Sequence, residues 1–600
     1  MSDHDRDRDR VLTAWRDVAA QLPWAEPPDA VFAASGPRGA WFPGGRLNVA
    51  AACVDRHLPE RRDAVAFHWE GEPEDRRTLT YGDLDREVRR FAAVLTALGI
   101  RPRDRVGVYM GLIPEAVVAM LACARIGAVH AVLPAVLPPD AVEQRLADVG
   151  ARVVVTQDGA WRHGAILPLK ARLDEAVAAV PSVEHTVVVR RTGVDVDWYE
   201  GDRWYHDLVE AVVPGTEEPE PFGAEHPLLV THVANRRRGP AGIVHGSANF
   251  LAYLLGVHLA LFRARDAAFW LAAEIAWQAG QSHAVYGPLV CGGTSVLYEG
   301  MLDTPTHARA WEIVERYGVG VLATTPSILR SLRAWSASDA REHDLRSLGR
   351  VVSAGEPLDP ELRAWVRDRV PAGVDLVDGW GQTELGGVIA ASDARGGAGG
   401  LDPGLDVVDD GGRPLPPGSV GELVLRHPWP GTFVAIEGGD IASMRCLTRY
   451  PGAYATGDRA RRTPDGALAF LGRIDPVTSV AGQLVSLTEV EDTLLDHPHV
   501  LRAVVAAGRD ARTSNAVVAL VQPADGADRQ RLAAELGRHV QETLGGLSRP
   551  RTVVFASALP GLPDADLRRA VRAVCAVHST AATLEVTEAE LRALSAAPPG

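Results

Sequence analysis

The stretch that decides the fold is "DRVGVYMGLIPEAVVAMLACARIGAVHAVLP", residues 104–134. Its first part, "DRVGVYM", is a short apolar run typical of a buried strand, and "IPEAVVAMLACARIGA" has the length and apolar character of a buried helix. The closing "AVHAVLP" predicts a second strand. A strand, a helix and a strand in succession predict two parallel strands joined by a crossover helix.

The same alternation continues on both sides of this stretch. "LTYGDLDREVRRFAAVLTALG" (79–99) has apolar residues at helical spacing, and "PDAVEQRLADVG" followed by "ARVVVTQDG" repeats the unit of helix and strand. In "LGRVVSAGEPLDPELRAWVRDRV" (348–370), Asp359 and Pro360 signal the start of a helix. The pattern predicts an α/β fold with a mostly parallel sheet.

The character of the chain changes after residue 475. Two helical patterns, "EVEDTLLDH" and "DRQRLAAELGRHVQETLG", are interleaved with three apolar strand patterns, "LRAVVAAG", "NAVVALVQP" and "RTVVFAS". A last helix is predicted near residues 564–579. This part of the chain is predicted to form a compact α+β unit.

Bulk properties exclude several classes of protein. Six hundred residues are too many for one core, so the length predicts a large domain and at least one smaller one. A formal net charge of -15 argues against a general binder of nucleic acid or of acidic membranes. The longest apolar run, residues 250–262, is shorter than the roughly 20 residues needed to span a bilayer. We therefore expect no nucleic-acid and no membrane partner.

The chain ends and the cysteines bear on location. "MSDHDRDRDR" alternates opposite charges and lacks the apolar run of a secretory signal, so we interpret it as a solvated tail. The five cysteines lie far apart and form no CxxC pair. We expect them to be reduced and mostly buried, which is consistent with a cytoplasmic protein.

Several segments, taken in order, resemble the signature motifs of the AMP-forming acetyl-CoA synthetases, which belong to the adenylate-forming superfamily. They include "WFPGGRLNVAAACVDRHL" (41–58), "SAGEPLDPE" (353–361), "DGWGQTELGG" (378–387), "YATGDRARRTPDGALAFLGRID" (454–475) and "AGQLVSLTEVEDTLLDHPHV" (481–500). Each motif alone is weak, but the ordered set is specific. The resemblance covers nearly the whole chain.

The resemblance implies an adenylate-forming fold in three parts. These are an N-terminal extension (1–60), a large AMP-binding domain of stacked, mostly parallel sheets with helices (61–474), and a small, mobile α+β domain (475–600) with its hinge at Asp475. Members of the family join a carboxylic acid to coenzyme A through an acyl-adenylate and release pyrophosphate. The implied ligands are therefore AMP or ATP, Mg²⁺, coenzyme A and a carboxylic acid.

The nucleotide residues carried over from the family have suitable chemistry. The hydroxyl of Thr383 can donate to a phosphate oxygen, and Glu384 offers the acidic oxygen that Mg²⁺ prefers. The carboxylate of Asp458 can accept both ribose hydroxyls, as acidic residues do in other nucleotide sites. Taken singly, each motif is also consistent with a structural turn or a surface ion pair. By resemblance, the nucleotide-binding residues are Gly355, Glu356, Pro357, Trp380, Gln382, Thr383, Asp458 and Arg473, with Glu384 at the metal.

The acyl and coenzyme A positions depart from the family. The resemblance places Trp277, Gln278 and Gly381 at the acyl pocket, and Gly381 replaces a tryptophan that limits chain length. Losing an indole frees apolar volume and Gln278 adds an amide, so we expect a longer or more polar acid than acetate. Arg162 matches a residue that contacts coenzyme A phosphates, while a second basic position is Ala165. Structural drift accounts for this pair equally well.

The phosphate-binding loop of the family is the most altered motif. "HVANRRRGPAG" (232–242) aligns onto it without a gap, and its degenerate positions are Val233, Ala234, Asn235, Arg236, Arg237 and Arg238. Such loops hold phosphate with inward backbone N–H groups, hydroxyls and a lysine. Arginine adopts glycine conformations only at a cost, so the cradle is expected to be lost. The arginines can still attract phosphate by charge, but we favour a solvated basic turn.

Two further catalytic groups are missing. The family's phosphate-gripping arginine falls on Leu484, and its adenylation lysine falls on Ala565. Only Lys170 among the 62 basic Lys and Arg residues is a lysine, and an ammonium is not interchangeable with a guanidinium. Removing one preorganised charge costs on the order of 3 kcal/mol, about a hundredfold in rate. The adenylation machinery is therefore expected to be largely lost.

Three functions remain open at this point. The first is a degenerate family member that binds AMP or ATP and an acyl group larger than acetate, as a pseudoenzyme or a specialised enzyme of secondary metabolism. The second is a working AMP-forming acyl-CoA ligase. The third is a non-catalytic protein partner of a true ligase. The fold is compatible with all three.

Overall fold

The structure is a computed structural model of the chain. It describes residues 3–213, 215, 218–233, 241–264, 267–336, 342–370, 373–392, 401–474, 477–481, 483–510, 513–524, 526–562, 564–577 and 582–595. The chain divides into two compact units. The first consists of residues 1–135, 143–232 and 242–471, and the second of residues 136–142, 233–241 and 472–600. The second unit thus takes two short segments from the large domain predicted at 61–474.

The first large sheet of unit 1 contains the stretch on which the prediction of the fold rests. Arg105–Tyr109 and Val129–Leu133 pair in parallel, and the helix Pro114–Ile126 connects them, as predicted. The helix ends at Gly127, which has a positive φ of 71° and so accepts the left-handed conformation of the cap. In sheet order, the strands are Asp202–Trp204, His185–Val189, Val153–Gln157, Arg105–Tyr109, Val129–Leu133, Pro227–Val233, Ala241–Gly246 and Ala435–Ile436.

The second large sheet of unit 1 carries most of the predicted nucleotide motifs. Its central pairs are parallel, while Gly387–Ala391 and Arg76–Thr80 pair antiparallel at its two edges. In sheet order, the strands are Gly387–Ala391, Asp375–Gln382, Arg350–Ser353, Val319–Thr324, Ala268–Leu271, Ser295–Glu299, Val65–Gly71 and Arg76–Thr80. Motifs that follow parallel strands therefore meet at one edge of this sheet.

Helices and smaller sheets complete unit 1. The predicted start of one helix is confirmed, because the side chain of Asp359 accepts a hydrogen bond from the Leu362 amide at 2.8 Å. An antiparallel sheet contains Leu405–Val408, Val420–Leu425, Tyr454–Arg462 and Leu468–Arg473, and three two-stranded ribbons pair Phe32–Ala33 with Ala40–Trp41, Arg46–Leu47 with Phe222–Gly223, and Ala160–Arg162 with Ala165–Leu167. The α-helices are Asp3–Ala19, Val49–Cys53, Leu58–Arg61, Tyr81–Ala97, Pro114–Ile126, Pro139–Val149, Leu169–Val177, Tyr205–Ala211, Ala248–Val257, Gly287–Val290, Arg309–Tyr317, Pro326–Ser336, Pro360–Arg369 and Arg445–Thr448. In the described part of the chain, 3₁₀ turns at Asp55–His57, Thr383–Leu385 and Ile441–Ser443 and π-helical segments at His258–Phe262 and Gly280–Tyr286 lie between them.

The C-terminal part of unit 2 has the predicted α+β character. A hairpin pairs Val477–Val480 with Gln483–Ser486, and a four-stranded sheet follows with strands Val500–Asp510, Ser514–Pro523, Thr552–Phe555 and Thr583–Glu585. The helices are Leu487–Leu495, Arg529–Leu544, Asp564–Val577 and Glu588–Ser595. The α/β fold class with a small C-terminal domain is thus confirmed. The mobility of that domain stays a prediction, and the hinge residue Asp475 lies outside the described residues.

The predicted solvated N-terminal tail is the start of a helix, although Asp7, Asp9 and Arg10 of that segment are exposed, as predicted. Residues Asp3–Ala19 form a helix, in which Arg10 lies 3.5 Å from Asp7 one turn earlier. One to two turns further along the helix, Val11 and Trp15 are four residues apart and buried. The Trp15 ring packs edge-on against Trp429, with 5.1 Å between ring centroids. The helix therefore begins with exposed charged residues, and its later turns pack into the core.

We predict that Trp15→Ala lowers the free energy of unfolding of unit 1 by about 3–5 kcal/mol, because it removes a fully buried indole and leaves a cavity. Arg16→Ala, at the exposed neighbouring position, provides the control and is expected to change stability by under about 0.5 kcal/mol. Urea unfolding of both variants tests this. Equal stability of the two variants would contradict the assignment of the N-terminal helix to the core.

Candidate functional site

The residues predicted to bind the nucleoside meet around one carboxylate. Oδ2 of Asp458 accepts hydrogen bonds from Trp380 Nε1 at 3.0 Å and from Gln382 Nε2 at 2.9 Å. All three side chains are buried. The indole of Trp380 stacks on Phe470 with 5.7 Å between centroids. Trp380 and Gln382 end the strand Asp375–Gln382, and Asp458 lies in Tyr454–Arg462, so strands of two sheets build this cluster.

The "SAGEP" motif forms a sharp turn after the strand Arg350–Ser353. Gly355 has a φ of +94° and, like Pro357, is exposed. Glu356 points the other way and is buried, where its carboxylate accepts a hydrogen bond from Ser327 Oγ at 2.6 Å and lies 3.4 Å from Arg330 Nη1. The glutamate thus anchors the turn, while Gly355 and Pro357 present its outer surface.

Thr383 and Glu384 lie in a short 3₁₀ turn at the end of the same strand as Trp380. Two consecutive glycines with positive φ, Gly386 at 91° and Gly387 at 130°, then reverse the chain into the strand Gly387–Ala391. We call residues 383–388 the phosphate turn, after the role that the family resemblance implies for Thr383. A Cβ at Gly387 would lie 2.8 Å from His283 Nε2, so glycine is also required for this close approach.

Side chains from three other segments hold the backbone of the phosphate turn. Ser282 Oγ donates to the Gly386 carbonyl at 2.6 Å, and Trp429 Nε1 donates to the Leu385 carbonyl at 3.2 Å. Tyr253 Oη donates to the Val388 carbonyl at 3.0 Å, and the Val388 amide donates to His283 Nε2 at 3.2 Å. Sequence reasoning missed these supporting residues, because polar side chains within the apolar segments 250–262 and 280–286 carry no motif.

Gln278 belongs to this support. Its Oε1 accepts a hydrogen bond from Thr231 Oγ1 at 2.5 Å, and its Nε2 donates to Ser282 Oγ at 3.2 Å. The side chain is buried, whereas the neighbouring Trp277 is half-buried. The amide predicted to add polarity to an acyl pocket is thus engaged in a relay from Thr231 to the phosphate turn.

The prediction that Gly381 opens apolar volume is wrong for this structure. Gly381 pairs with Val388 across a bulge between Trp380 and Gly381. A Cβ built at Gly381 would overlap the carbonyl oxygen of Gly387. The neighbouring strand therefore occupies the space into which a larger side chain would extend, and the missing indole leaves no room there for a longer acid.

The predicted coenzyme A residue is neutralised by an acid. Arg162 lies in the ribbon Ala160–Arg162, and its Nη1 is 2.9 Å from Glu274 Oε1. Glu72 accepts the backbone N–H groups of His163 and Gly164 at 3.1 and 2.6 Å and so holds the tip of this ribbon. The ribbon thus offers less free positive charge than the sequence implies.

The positions at which catalytic groups of the family are predicted to be missing are only partly described. Val233 is buried at the end of the strand Pro227–Val233, and Leu484 is 39% exposed in the hairpin of unit 2. Arg473 ends the strand Leu468–Arg473 and is half-buried. The backbone of Ala565 lies in the first turn of Asp564–Val577. Outside the described part lie the side chain of Ala565 and the loop positions Ala234, Asn235, Arg236, Arg237 and Arg238.

Lys170, the only lysine of the chain, has a structural role. Its side chain is fully buried, and Nζ lies 2.5 Å from Asp174 Oδ1, 2.8 Å from Asp202 Oδ2 and 3.2 Å from the Asp197 carbonyl. An ammonium donates three hydrogen bonds, and three acceptors surround this one. Its burial keeps it from replacing a catalytic lysine.

The available acidic side chains limit how the site can hold a metal ion. Within the described ranges, no cluster of three or more His, Cys, Asp or Glu side chains is close enough to hold a metal ion. Glu384 therefore fits Mg²⁺ only as one carboxylate ligand of an ion that also takes phosphate oxygens.

No helix in the described part of the chain is long and apolar enough to cross a bilayer. The five cysteines all lie in the described part of the chain and form no disulfide bond, and Cys53, Cys123 and Cys575 are buried.

Comparison with known proteins assigns the class of protein. The AMP-binding enzyme model matches residues 54–433, the AMP-binding enzyme C-terminal domain matches 489–563, and the acetyl-coenzyme A synthetase N-terminus matches 11–53. The acetyl-coenzyme A synthetases of Streptomyces coelicolor and Mycobacterium tuberculosis are 41% and 42% identical to this chain over 92% of its length and over 87% and 88% of theirs. That of Chlorobaculum tepidum is 36% identical, over 91% of this chain and 85% of its own. The chain belongs to the AMP-binding enzyme family, in its acetyl-coenzyme A synthetase branch.

Acidification is expected to destabilise unit 1 through its buried histidines. Burial lowers the pKa of His130 and of His283 to about 3, and that of His245 to about 4, from an ordinary 6.5. The unfolded chain therefore binds more protons below pH 6.5, and each histidine lowers the free energy of unfolding by up to about 2 kcal/mol between pH 7 and 5. Urea unfolding at several pH values measures this loss. His283→Gln should make the slope shallower, whereas the exposed His307→Gln should leave it unchanged.

We predict that Gly381→Ala destabilises unit 1 by at least about 1–3 kcal/mol, because the added Cβ overlaps the Gly387 carbonyl. Gly223→Ala is the matched control, since this exposed strand glycine has open space around its Cβ position. Thermal unfolding of the two variants measures the difference. Full stability of Gly381→Ala would show that the strand can move away and that the acyl pocket is open after all.

Proposed function

We propose that this protein binds adenosine nucleotides in the manner of its family but has lost most of the ability to form an acyl-adenylate. The buried Asp458, with its hydrogen bonds from Trp380 and Gln382, supports a preorganised ribose site. Gly355 and Pro357 provide the adenine side, with the buried Glu356 holding their turn from within, Arg473 provides a second ribose contact, and Thr383 the α-phosphate contact. Coenzyme A and a carboxylic acid remain candidate ligands.

The observation that carries the proposal is the state of Lys170. Adenylation in the family uses a lysine, and the only lysine of this chain is fully buried with two carboxylates and a carbonyl around Nζ. Releasing it would leave those carboxylates buried without their cation, which is strongly unfavourable. With the phosphate loop altered at 233–238, Leu484 at the arginine position and Ala565 at the lysine position, three charge-stabilising groups of the family are missing together.

The ligand set follows from the same residues. Mg²⁺ would be held by Glu384 together with nucleotide phosphates, where it would neutralise phosphate charge. Because the altered loop at 233–238 is the family's β- and γ-phosphate cradle, we expect AMP to bind at least as tightly as ATP. Coenzyme A is expected to bind weakly, since Glu274 pairs with Arg162.

A working AMP-forming acyl-CoA ligase is the second candidate. Identity of 41–42% to acetyl-coenzyme A synthetases over 92% of the chain supports it. In that case Arg236, Arg237 and Arg238 would hold the phosphates by charge. A non-catalytic partner of a true ligase is the third candidate, and it requires no ligand beside Asp458, Trp380 and Gln382.

Pyrophosphate exchange with a panel of carboxylic acids, beside calorimetry with AMP and ATP, separates the three. We expect AMP binding and exchange at least about a hundredfold below a working ligase. Asp458→Ala should abolish nucleotide binding, whereas Arg162→Ala should leave it unchanged. Robust acetate-dependent exchange by the unmodified protein would overturn the proposal in favour of the ligase. The absence of any nucleotide binding would favour the partner protein.

Restoring the lost groups provides the complementary prediction. Ala565→Lys and Leu484→Arg together should do little, because catalytic groups that act as a unit are not additive. Rebuilding residues 233–241 to the family's Ser/Thr/Gly/Lys pattern in that double variant should produce measurable adenylate. Adenylate formation by the double variant alone would show that the loop of this chain already binds phosphate.

A further inference from the structure

The phosphate turn makes a backbone hydrogen bond of its own, from the Gly386 amide to the Thr383 carbonyl at 3.0 Å, but other backbone groups of the turn depend on side chains outside it. Gly386 and Gly387 both have positive φ and add no side-chain contacts, and glycine is the residue with the most conformational freedom to lose. Of the backbone groups in this turn, the carbonyls of Gly386 and Val388 and the amide of Val388 are bonded to side chains of Ser282, Tyr253 and His283. These three side chains are fully buried.

We call Tyr253, Ser282 and His283 the clamp, because their side chains hold the backbone of the phosphate turn. The hydrogen bonds also define the protonation state of His283 in this clamp. A backbone amide only donates, so Nε2 of His283 accepts from Val388 and is unprotonated. The ring proton is therefore on Nδ1, which donates to Nε2 of His258 at 3.3 Å. Protonating His283 at Nε2 would place its N–H against the N–H of Val388, so two donors would face each other. Burial, which lowers the pKa of His283 to about 3, keeps the ring neutral. The clamp is thus a fixed acceptor for Val388 at neutral pH.

A second chain of hydrogen bonds begins at Thr231 and reaches the same turn. Thr231 donates to Gln278, Gln278 donates to Ser282, and Ser282 donates to the Gly386 carbonyl. Thr231 lies in Pro227–Val233, the strand that precedes the altered loop. Ser282 and His283 are adjacent in the π-helical segment Gly280–Tyr286, which presents both side chains to the turn. Irregular helical turns of this kind occur often at functional sites.

We propose that Tyr253, Ser282 and His283 are positioning residues for the phosphate turn, which they hold so that Thr383 meets the α-phosphate of a bound nucleotide. This rests on the proposed nucleotide-binding function. The three residues act through the backbone of 386–388 and do not touch the ligand. Their loss should therefore weaken ligands with a phosphate and spare ligands without one.

The test compares AMP with adenosine by calorimetry in two matched variants. Tyr253→Phe removes the hydroxyl that holds the Val388 carbonyl. Tyr286→Phe removes an equally buried hydroxyl that bonds His130 at 2.7 Å and does not touch the turn. We expect Tyr253→Phe to weaken AMP about tenfold and adenosine less than twofold, and Tyr286→Phe to change neither. Equal weakening of both ligands, an unchanged AMP affinity, or the same effect in Tyr286→Phe would overturn the proposal.

A second measurement needs no ligand and separates this proposal from the proposed function. Amide hydrogen exchange at Val388 reports the bond to His283 directly. His283→Leu should speed exchange at this amide at least tenfold, and His283→Gln, whose amide oxygen can accept the same bond, should restore protection. If the wild type bound no nucleotide but exchange followed this pattern, the proposed function would fail while the clamp stood. Unchanged exchange in His283→Leu would overturn the clamp itself.

Discussion

The constraint on which the site depends is that the chain must reverse within the four residues between the strands Asp375–Gln382 and Gly387–Ala391. Only the glycines at 386 and 387 allow this, since both have positive φ and both lie within contact distance of Tyr253 or His283. A reversal this tight removes backbone groups from the sheet ladder and buries them. A buried carbonyl or amide without a partner costs about 1–3 kcal/mol, so Ser282, Tyr253, His283 and Trp429 supply the partners. The polar residues within apolar helices are thus explained by the shape of the turn.

The sequence predicted those features that depend on local pattern. The crossover at 104–134, the helix start at Asp359 and the α+β character of the C-terminal part follow from periodicity and capping, which act over a few residues. The N-terminal tail was misread because its charges alternate, while the apolar positions Val11 and Trp15 follow at a helical spacing of four. Gly381 was misread because its environment is set by pairing with Val388 and by a bulge. Register is a property of two strands, and a motif on one of them does not contain it.

Lys170 shows why one lysine survives in a chain that otherwise uses arginine. Its ammonium is compact and meets three acceptors, from Asp174, Asp197 and Asp202, in a fully buried position. A guanidinium is larger and planar, and it spreads five donors in a fixed fork that this arrangement does not match. The residue is therefore retained for packing and charge compensation.

The acyl and nucleotide sides of this site are not independent. Gln278 stands at a position that the family resemblance assigns to the acyl pocket, yet its amide links the Thr231 hydroxyl to Ser282 and through it to Gly386. Replacing Gln278 by an aliphatic residue would remove the acceptor of the Thr231 hydroxyl and the donor to Ser282 Oγ. This loss would weaken the support of the turn beside Thr383. The polar substitution thus has a structural reason that needs no polar substrate. The space that the resemblance assigns to an acyl group is thus used at Gln278 to fix the turn at 386–388, and at Gly381 it is filled by the neighbouring strand, so both departures from the family have the same structural cause.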